Sequence, residues 1–316
     1  CDAFGTGFFY IPGTETCLQI GGEVRFGLEF GRDENDSVYH NASKNNTDWD
    51  ANTRVRLHLD ARNDTEYGTL QSYVQLEAYS DSGVALRQAY IDISGLRVGY
   101  FNGWWDDGIA GESDLISNVA KHNFIRYTYD GGSFQAGLSI DEIDGGANGF
   151  AFVADPKKGP LKVNANVHND VGVSGMVGGA FGGVNVQGLV AYDNATEEWA
   201  ARGIVTAEVG PGTLGVAAVW ASDANEYYAY ADWSVAASYA IKATEKLTIT
   251  PAVSYFSDLE QFSGLPNDVD AWGASLKAEY QITTGLKTEA AVTYLHKDVS
   301  SEDDQWGGFV RLYRSF

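Results

Sequence analysis

The sequence predicts an all-β protein, a transmembrane antiparallel β-barrel of about sixteen strands with short turns on one rim and long loops on the other. Three observations carry this expectation. Apolar and polar residues alternate in segment after segment along the 316 residues. The connections between segments alternate between short and long. No run of about 18 apolar residues occurs, so the chain offers no transmembrane helix, although its hydrophobic fraction is 44%.

The alternation is clearest in three segments. In the first, Leu18, Ile20, Gly22, Val24, Phe26, Leu28 and Phe30 fall on one side, and Gln19, Gly21, Glu23, Arg25, Gly27 and Glu29 on the other. In the next, Val55, Leu57, Leu59 and Ala61 oppose Arg54, Arg56, His58, Asp60 and Arg62. Late in the chain, Trp272, Ala274, Leu276, Ala278 and Tyr280 oppose Ser275, Lys277, Glu279 and Gln281. Successive side chains of a strand point to opposite faces, so a period of two marks strands. A face of Arg, Glu, Lys and Gln kept over full strand length suits a wet lumen, where a soluble lectin-like sandwich would bury one face. Closure is required because lipid cannot satisfy an open sheet edge.

Short connections are expected at 65–68, 94–95, 130–132, 182–183, 210–212, 243–246 and 283–285. Longer, polar and largely acidic ones are expected at 32–48, 102–120, 143–172, 257–270 and 297–305. A plain count gives about eighteen segments. Two of these, 148–155 and 161–169, flank Pro156-Lys157-Lys158-Gly159-Pro160 and read as a small hairpin inside one long extracellular loop, 143–172. About sixteen strands remain, with eighteen as the alternative. An even number places both termini in the periplasm. Aromatics such as Tyr127, Tyr129, Trp199, Trp233, Tyr255, Trp272, Tyr294 and Trp306 near segment ends suit interfacial girdles. The last segment ends on Phe316 with Val310 and Leu312 on one face, as a sealing strand would; Arg314, of the same parity, is expected at a rim. The whole chain, 1–316, reads as one barrel domain.

Composition narrows the function. Formal net charge is −22, from 43 acids against 21 bases, which repels nucleic acid. The five histidines show no metal-ligand spacing. No nucleophile elbow or phosphate loop stands out. Catalytic residues, cofactor and metal are therefore none. Cys1 and Cys17 close a small loop if the compartment is oxidising; two free thiols, or a lipid-anchored Cys1, are the competing readings.

The chain's beginning, Cys1-Asp2-Ala3-Phe4-Gly5-Thr6-Gly7-Phe8-Phe9-Tyr10-Ile11-Pro12-Gly13-Thr14-Glu15-Thr16-Cys17-Leu18, resembles the start of the alphaproteobacterial outer-membrane general porins of the rhizobial and Brucella type. So do Ala191-Tyr192-Asp193, Glu197-Glu198-Trp199-Ala200, Trp306-Gly307-Gly308-Phe309-Val310-Arg311 and the closing Arg314-Ser315-Phe316. The resemblance implies a sixteen-stranded homotrimeric porin in the Gram-negative outer membrane, amid lipid and lipopolysaccharide, with its third loop folded into the pore. The loop at 102–120 is short for that family.

A porin sieves by pore width and by the charges lining the pore. The candidate constriction loop, 102–120, carries Asp106, Asp107, Glu112 and Asp114, with Trp104 and Trp105. A facing basic wall is expected from Arg25, Arg54, Arg56, Arg62, Arg97 and Arg126. Acids opposite bases give a transverse field, and the acidic excess predicts weak cation preference. The expected function is passive diffusion of small hydrophilic solutes and ions. The competing functions are a substrate-specific channel, for example for sugars, marked by lumen aromatics such as Tyr73, Tyr79 and Phe101, and a surface-structural or adhesive barrel.

Overall fold

The computed structural model describes residues 1–31, 49–80, 82–111, 121–143, 170–259, 269–298 and 304–316. The loops at 32–48 and 260–268, the hairpin expected within 144–169, and Glu112 and Asp114 lie outside the described residues.

The first strand, β1 (Phe9–Tyr10), is a two-residue element paired with Cys17 and Leu18. Sixteen long strands follow and close into an antiparallel barrel. They are β2 (Cys17–Phe30), β3 (Trp49–Thr65), β4 (Gly68–Tyr79), β5 (Ala85–Ile93), β6 (Leu96–Asn102), β7 (Lys121–Asp130), β8 (Phe134–Ile143) and β9 (Asp170–Phe181), then β10 (Val184–Asp193), β11 (Glu198–Val209), β12 (Gly212–Ala221), β13 (Trp233–Lys242), β14 (Leu247–Ser257), β15 (Ala271–Thr283), β16 (Leu286–Lys297) and β17 (Gln305–Ser315). Each pairs with the next, and β17 returns to β2 from Gly308 opposite Phe30 to Ser315 opposite Glu23. Gly22 and Phe316 then exchange both backbone hydrogen bonds at 3.0 Å, which seals the seam. The strand count of sixteen therefore holds, and β1 is an addition the period-two pattern does not reveal.

The two faces separate as a membrane barrel requires. On β2, Ile20, Val24, Phe26, Leu28 and Phe30 are exposed on the outside, while Arg25 and Glu29 are buried within. Lipid covers the outer side chains, which is why large apolar groups such as Leu138 and Val177 stand exposed there. Aromatic pairs band both rims. Tyr192–Trp199, Trp233–Tyr255, Trp272–Tyr294 and Tyr294–Trp306 lie on the long-loop side, with ring centroids 4.8–5.4 Å apart. Tyr129–Phe134 lies on the short-turn side at 5.7 Å. Arg314 sits at the short-turn rim, donating to the Gly285 carbonyl at 3.1 Å.

Cys1 and Cys17 form a disulfide. The segment it closes crosses the lumen mouth: Gln19 donates to the Thr6 carbonyl at 3.0 Å, and the Arg62 guanidinium lies 5.0 Å from the Phe8 ring centroid. The buried apolar cluster sits inside the barrel, where two in-folded segments meet the wall; it includes Trp104, Trp105, Tyr227, Tyr228, Leu189 and Phe256.

Candidate pore constriction

After β6 the chain turns into the barrel instead of continuing outward. Gly103 leads into a 3-10 turn, Trp104–Asp106, whose two tryptophans are buried. The wall has been shaped to receive this loop. Gly137 lies under Trp104, and a Cβ there would come within 2.7 Å of the indole. Gly215 lies under Ile109, where a Cβ would approach the Ile109 Cβ at 3.0 Å. Any side chain at either glycine would push the loop off the wall.

Polar contacts fix the same geometry. Arg202, on the lumen face of β11, donates from Nη2 to the Trp104 carbonyl at 2.7 Å and from Nη1 to the Trp105 carbonyl at 2.9 Å. The Trp104 carbonyl also accepts the Asp107 N–H at 3.2 Å; the guanidinium adds a donor to each of the two carbonyls from one fixed fork. Gln187 donates to Asp107 at 2.8 Å. Asp106 accepts a hydrogen bond from Asn102. Burial holds the Asp106 carboxyl above the usual carboxylate range, against the opposing pull of the Asn102 hydrogen bond and of the cationic Arg87 and Lys121.

A second segment, 222–232 between β12 and β13, also folds inward and packs on the loop, with the Tyr227 ring 5.7 Å from Trp105. Two buried carboxylates pin it. Asp141 accepts from Tyr227 at 2.6 Å, from Ser174 at 3.1 Å and from Ser139 at 2.5 Å. Asp193 accepts from the backbone N–H groups of Ala195, Thr196 and Glu226 at 2.8–3.2 Å. Burial and the Asp141 charge keep the Tyr227 phenol protonated far above its ordinary range.

The opposite wall, β2 to β5, is basic. Arg54 pairs with Glu23 at 2.7 Å and Arg56 with Glu77 at 2.5 Å, and Arg87 reaches Glu77 at 3.4 Å. Arg87 is the unpaired residue of a bulge: Gln75 opposes Gln88, but Leu76 opposes Leu86. The bulge sends Arg87 and Gln88 to the same side, where Gln88 bonds Gln75.

The predicted residues therefore distribute unevenly. Asp106 and Asp107 stand on the in-folded loop, and Arg54 and Arg56 on the wall of ion pairs. Arg25 is buried among neighbours, donating to Asn52 at 3.3 Å, with its guanidinium 6.0 Å from the Tyr79 ring. Arg62 and Arg97 lie toward the short-turn rim, paired with Asp60 at 2.7 Å and Asp92 at 2.9 Å. Arg126 is a correction to the facing-wall expectation. It lies beneath the loop, 4.1 Å from the Trp104 ring, because β7 belongs to the wall on which the loop rests. Arg87, Lys121, Gln187 and Arg202 were not anticipated; the bulge hides the first, and the other three are single polar residues whose partners are set by the loop's path.

The comparisons agree with this architecture. A family model described as porin subfamily matches residues 1–309. The chain is 42% identical over 321 residues to outer membrane protein IIIA of Rhizobium leguminosarum bv. viciae, covering 100% of this chain and 84% of that protein. It is 32% identical over 360 residues to porin Omp2b of Brucella neotomae, covering 100% and 89%. Among solved structures, the outer membrane channel DcaP of Acinetobacter baumannii superposes with a TM-score of 0.75 at 14% identity, covering 97% of this chain and 99% of that one. OmpT of Vibrio cholerae, in its trimer form, superposes with a TM-score of 0.65 at 13% identity, covering 96% and 100%. At those identities the structural likeness speaks for the fold.

Proposed function

The chain belongs to the porin subfamily of outer-membrane channel proteins, and from that premise we propose that it passes small hydrophilic solutes by passive diffusion with a weak preference for cations. The observation that supports this most is the pairing of a carboxylate-bearing loop inside the barrel with a wall of arginines across from it. Such a pair sets up a field across the bore. Polar solutes align in it, and apolar ones disturb its ordered water without compensation. On the loop, Asp106, Asp107, Glu112 and Asp114 are the proposed acidic side; the overall charge of −22 favours cations further. Arg54 and Arg56 are the proposed basic side at loop level, with Arg25, Arg62 and Arg97 extending it along the bore. No catalytic step is proposed.

The functional unit is proposed to be a homotrimer embedded in lipid and lipopolysaccharide, as OmpT in its trimer form suggests. The outward, apolar β9 surface around Val177 and Phe181 is available to lipid or to a neighbouring protomer. A sugar-specific channel is less favoured. Tyr73 and Tyr90 stack on each other at 5.1 Å and Arg97 covers Tyr90 at 4.3 Å, so the ring faces a sugar would use are taken.

Two measurements test the proposal. Liposome swelling should admit many neutral solutes in order of size. The reversal potential across a salt gradient should show cations crossing slightly faster; a clear anion preference, or swelling with one solute class alone, refutes it.

A further inference from the structure

The basic wall carries more than the ion pairs needed to hold it. Arg54, Arg56 and Arg87 gather around the single carboxylate of Glu77, at 3.9, 2.5 and 3.4 Å. Glu23 takes one Nη of Arg54, at 2.7 Å. Arg56 and Arg87 are left sharing Glu77, their side chains 25% and 23% exposed toward the water-filled bore. Lys121, where the chain re-enters the wall after the constriction loop, adds a fourth cation. It stands opposite Asn102, whose amide donates to Asp106, and it forms no ion pair among the described residues. Like charges confined in a low-dielectric wall repel strongly, and an anion entering between them relieves that repulsion.

We infer that Arg56, Arg87 and Lys121 form a transit site for small dianionic oxyanions, such as phosphate-bearing solutes, on the basic side of the constriction. The inference rests on the channel proposed above and adds a ligand class to it. Two guanidiniums present planar forks that match tetrahedral oxyanions, and a flexible ammonium supplies a third contact. A monovalent anion gains far less from three cations. The site does not contradict weak cation preference in simple salts, because the carboxylates of the loop line the other side of the same bore. It makes multivalent anions pause where chloride does not.

The test is single-channel recording of the full-length protein in planar bilayers in potassium chloride. Inorganic phosphate, sulfate or nitrate is added to one side at matched ionic strength, and current is read as a fraction of each protein's own open level. Phosphate and sulfate should reduce the current with half-block at about 1 mM, the Kd of such a site, while nitrate should not. Arg87→Gln and Lys121→Gln should each raise the half-blocking phosphate concentration about tenfold, the loss of one charge-assisted bond. Lys121→Arg should restore it. Equal currents in all three anions, or variants blocked as readily as the wild type, would overturn the inference. The open current in chloride alone tests the channel itself: a silent bilayer fails that proposal, whereas an open channel indifferent to phosphate fails only this one.

Discussion

Replacing Arg202 by methionine should loosen the constriction loop while leaving the barrel closed. Arg202 is 3% exposed and makes two hydrogen bonds to consecutive carbonyls of the loop. A bond to a charged group contributes about 1.5–3 kcal/mol, so the pair supplies about 3–6 kcal/mol. Water in the bore can solvate the freed carbonyls, which places the net loss near the lower end, about 3 kcal/mol. At about 1.4 kcal/mol per factor of ten, the ratio of docked to undocked loop falls about 100-fold. The Gln187–Asp107 bond and the packing of Ile109 on Gly215 remain, so the loop should fluctuate instead of leaving entirely. Planar-bilayer recordings should show larger and noisier conductance steps, and swelling assays a higher size limit. Arg202→Lys, able to keep one bond in good geometry, should fall between. Identical conductance, noise and size limit in the methionine variant would show that packing alone holds the loop and would refute this account.

Gly215→Val should act in the opposite direction, driving Ile109 toward the bore and lowering conductance, since even a Cβ would meet it at 3.0 Å. Tyr227→Phe removes one of three donors to buried Asp141, a loss of about 1 kcal/mol; hydrogen exchange at 222–232 should quicken and current noise should rise. Acidification should weaken cation preference earlier than ordinary carboxylates allow. Burial raises the Asp106 pKa, so falling pH protonates it first and removes one negative charge from the loop; a reversal potential flat until pH falls through the normal carboxylate range would contradict this. Reduction of Cys1–Cys17 should open residues 1–16 to proteases, since closing a loop of this size is worth about 3 kcal/mol, while heat-modifiable gel migration of the barrel stays unchanged.

Much of the fold was legible because lipid and water impose opposite demands on alternate residues, and the alternation is plain over Val24–Phe30 of β2 and Ala271–Leu276 of β15. Legibility ends where the chain leaves that regime. The segment 222–232, with its Tyr227-Tyr228-Ala229-Tyr230-Ala231 run, looks as strand-like as its neighbours, yet it packs inside the barrel on Trp105 and Asp141. Arg87 has the parity of the lipid-facing Ile91 within β5, and only the bulge turns it inward. Arg126 has lumen parity, as expected, but parity gives a face and not a height or a bearing around the bore. Whether a lumen cation faces the loop or lies beneath it depends on which wall the loop chooses. That choice was written in Gly137, Gly215 and Arg202, residues whose meaning appears only once their partners are known.

The bond between Gly22 and Phe316 has a consequence for biogenesis. β17 seals β2, so any state of the chain in which these two strands are not yet paired carries two raw margins that no bilayer can tolerate. A chain lacking β17 would be an open ribbon, free to join with others of its kind.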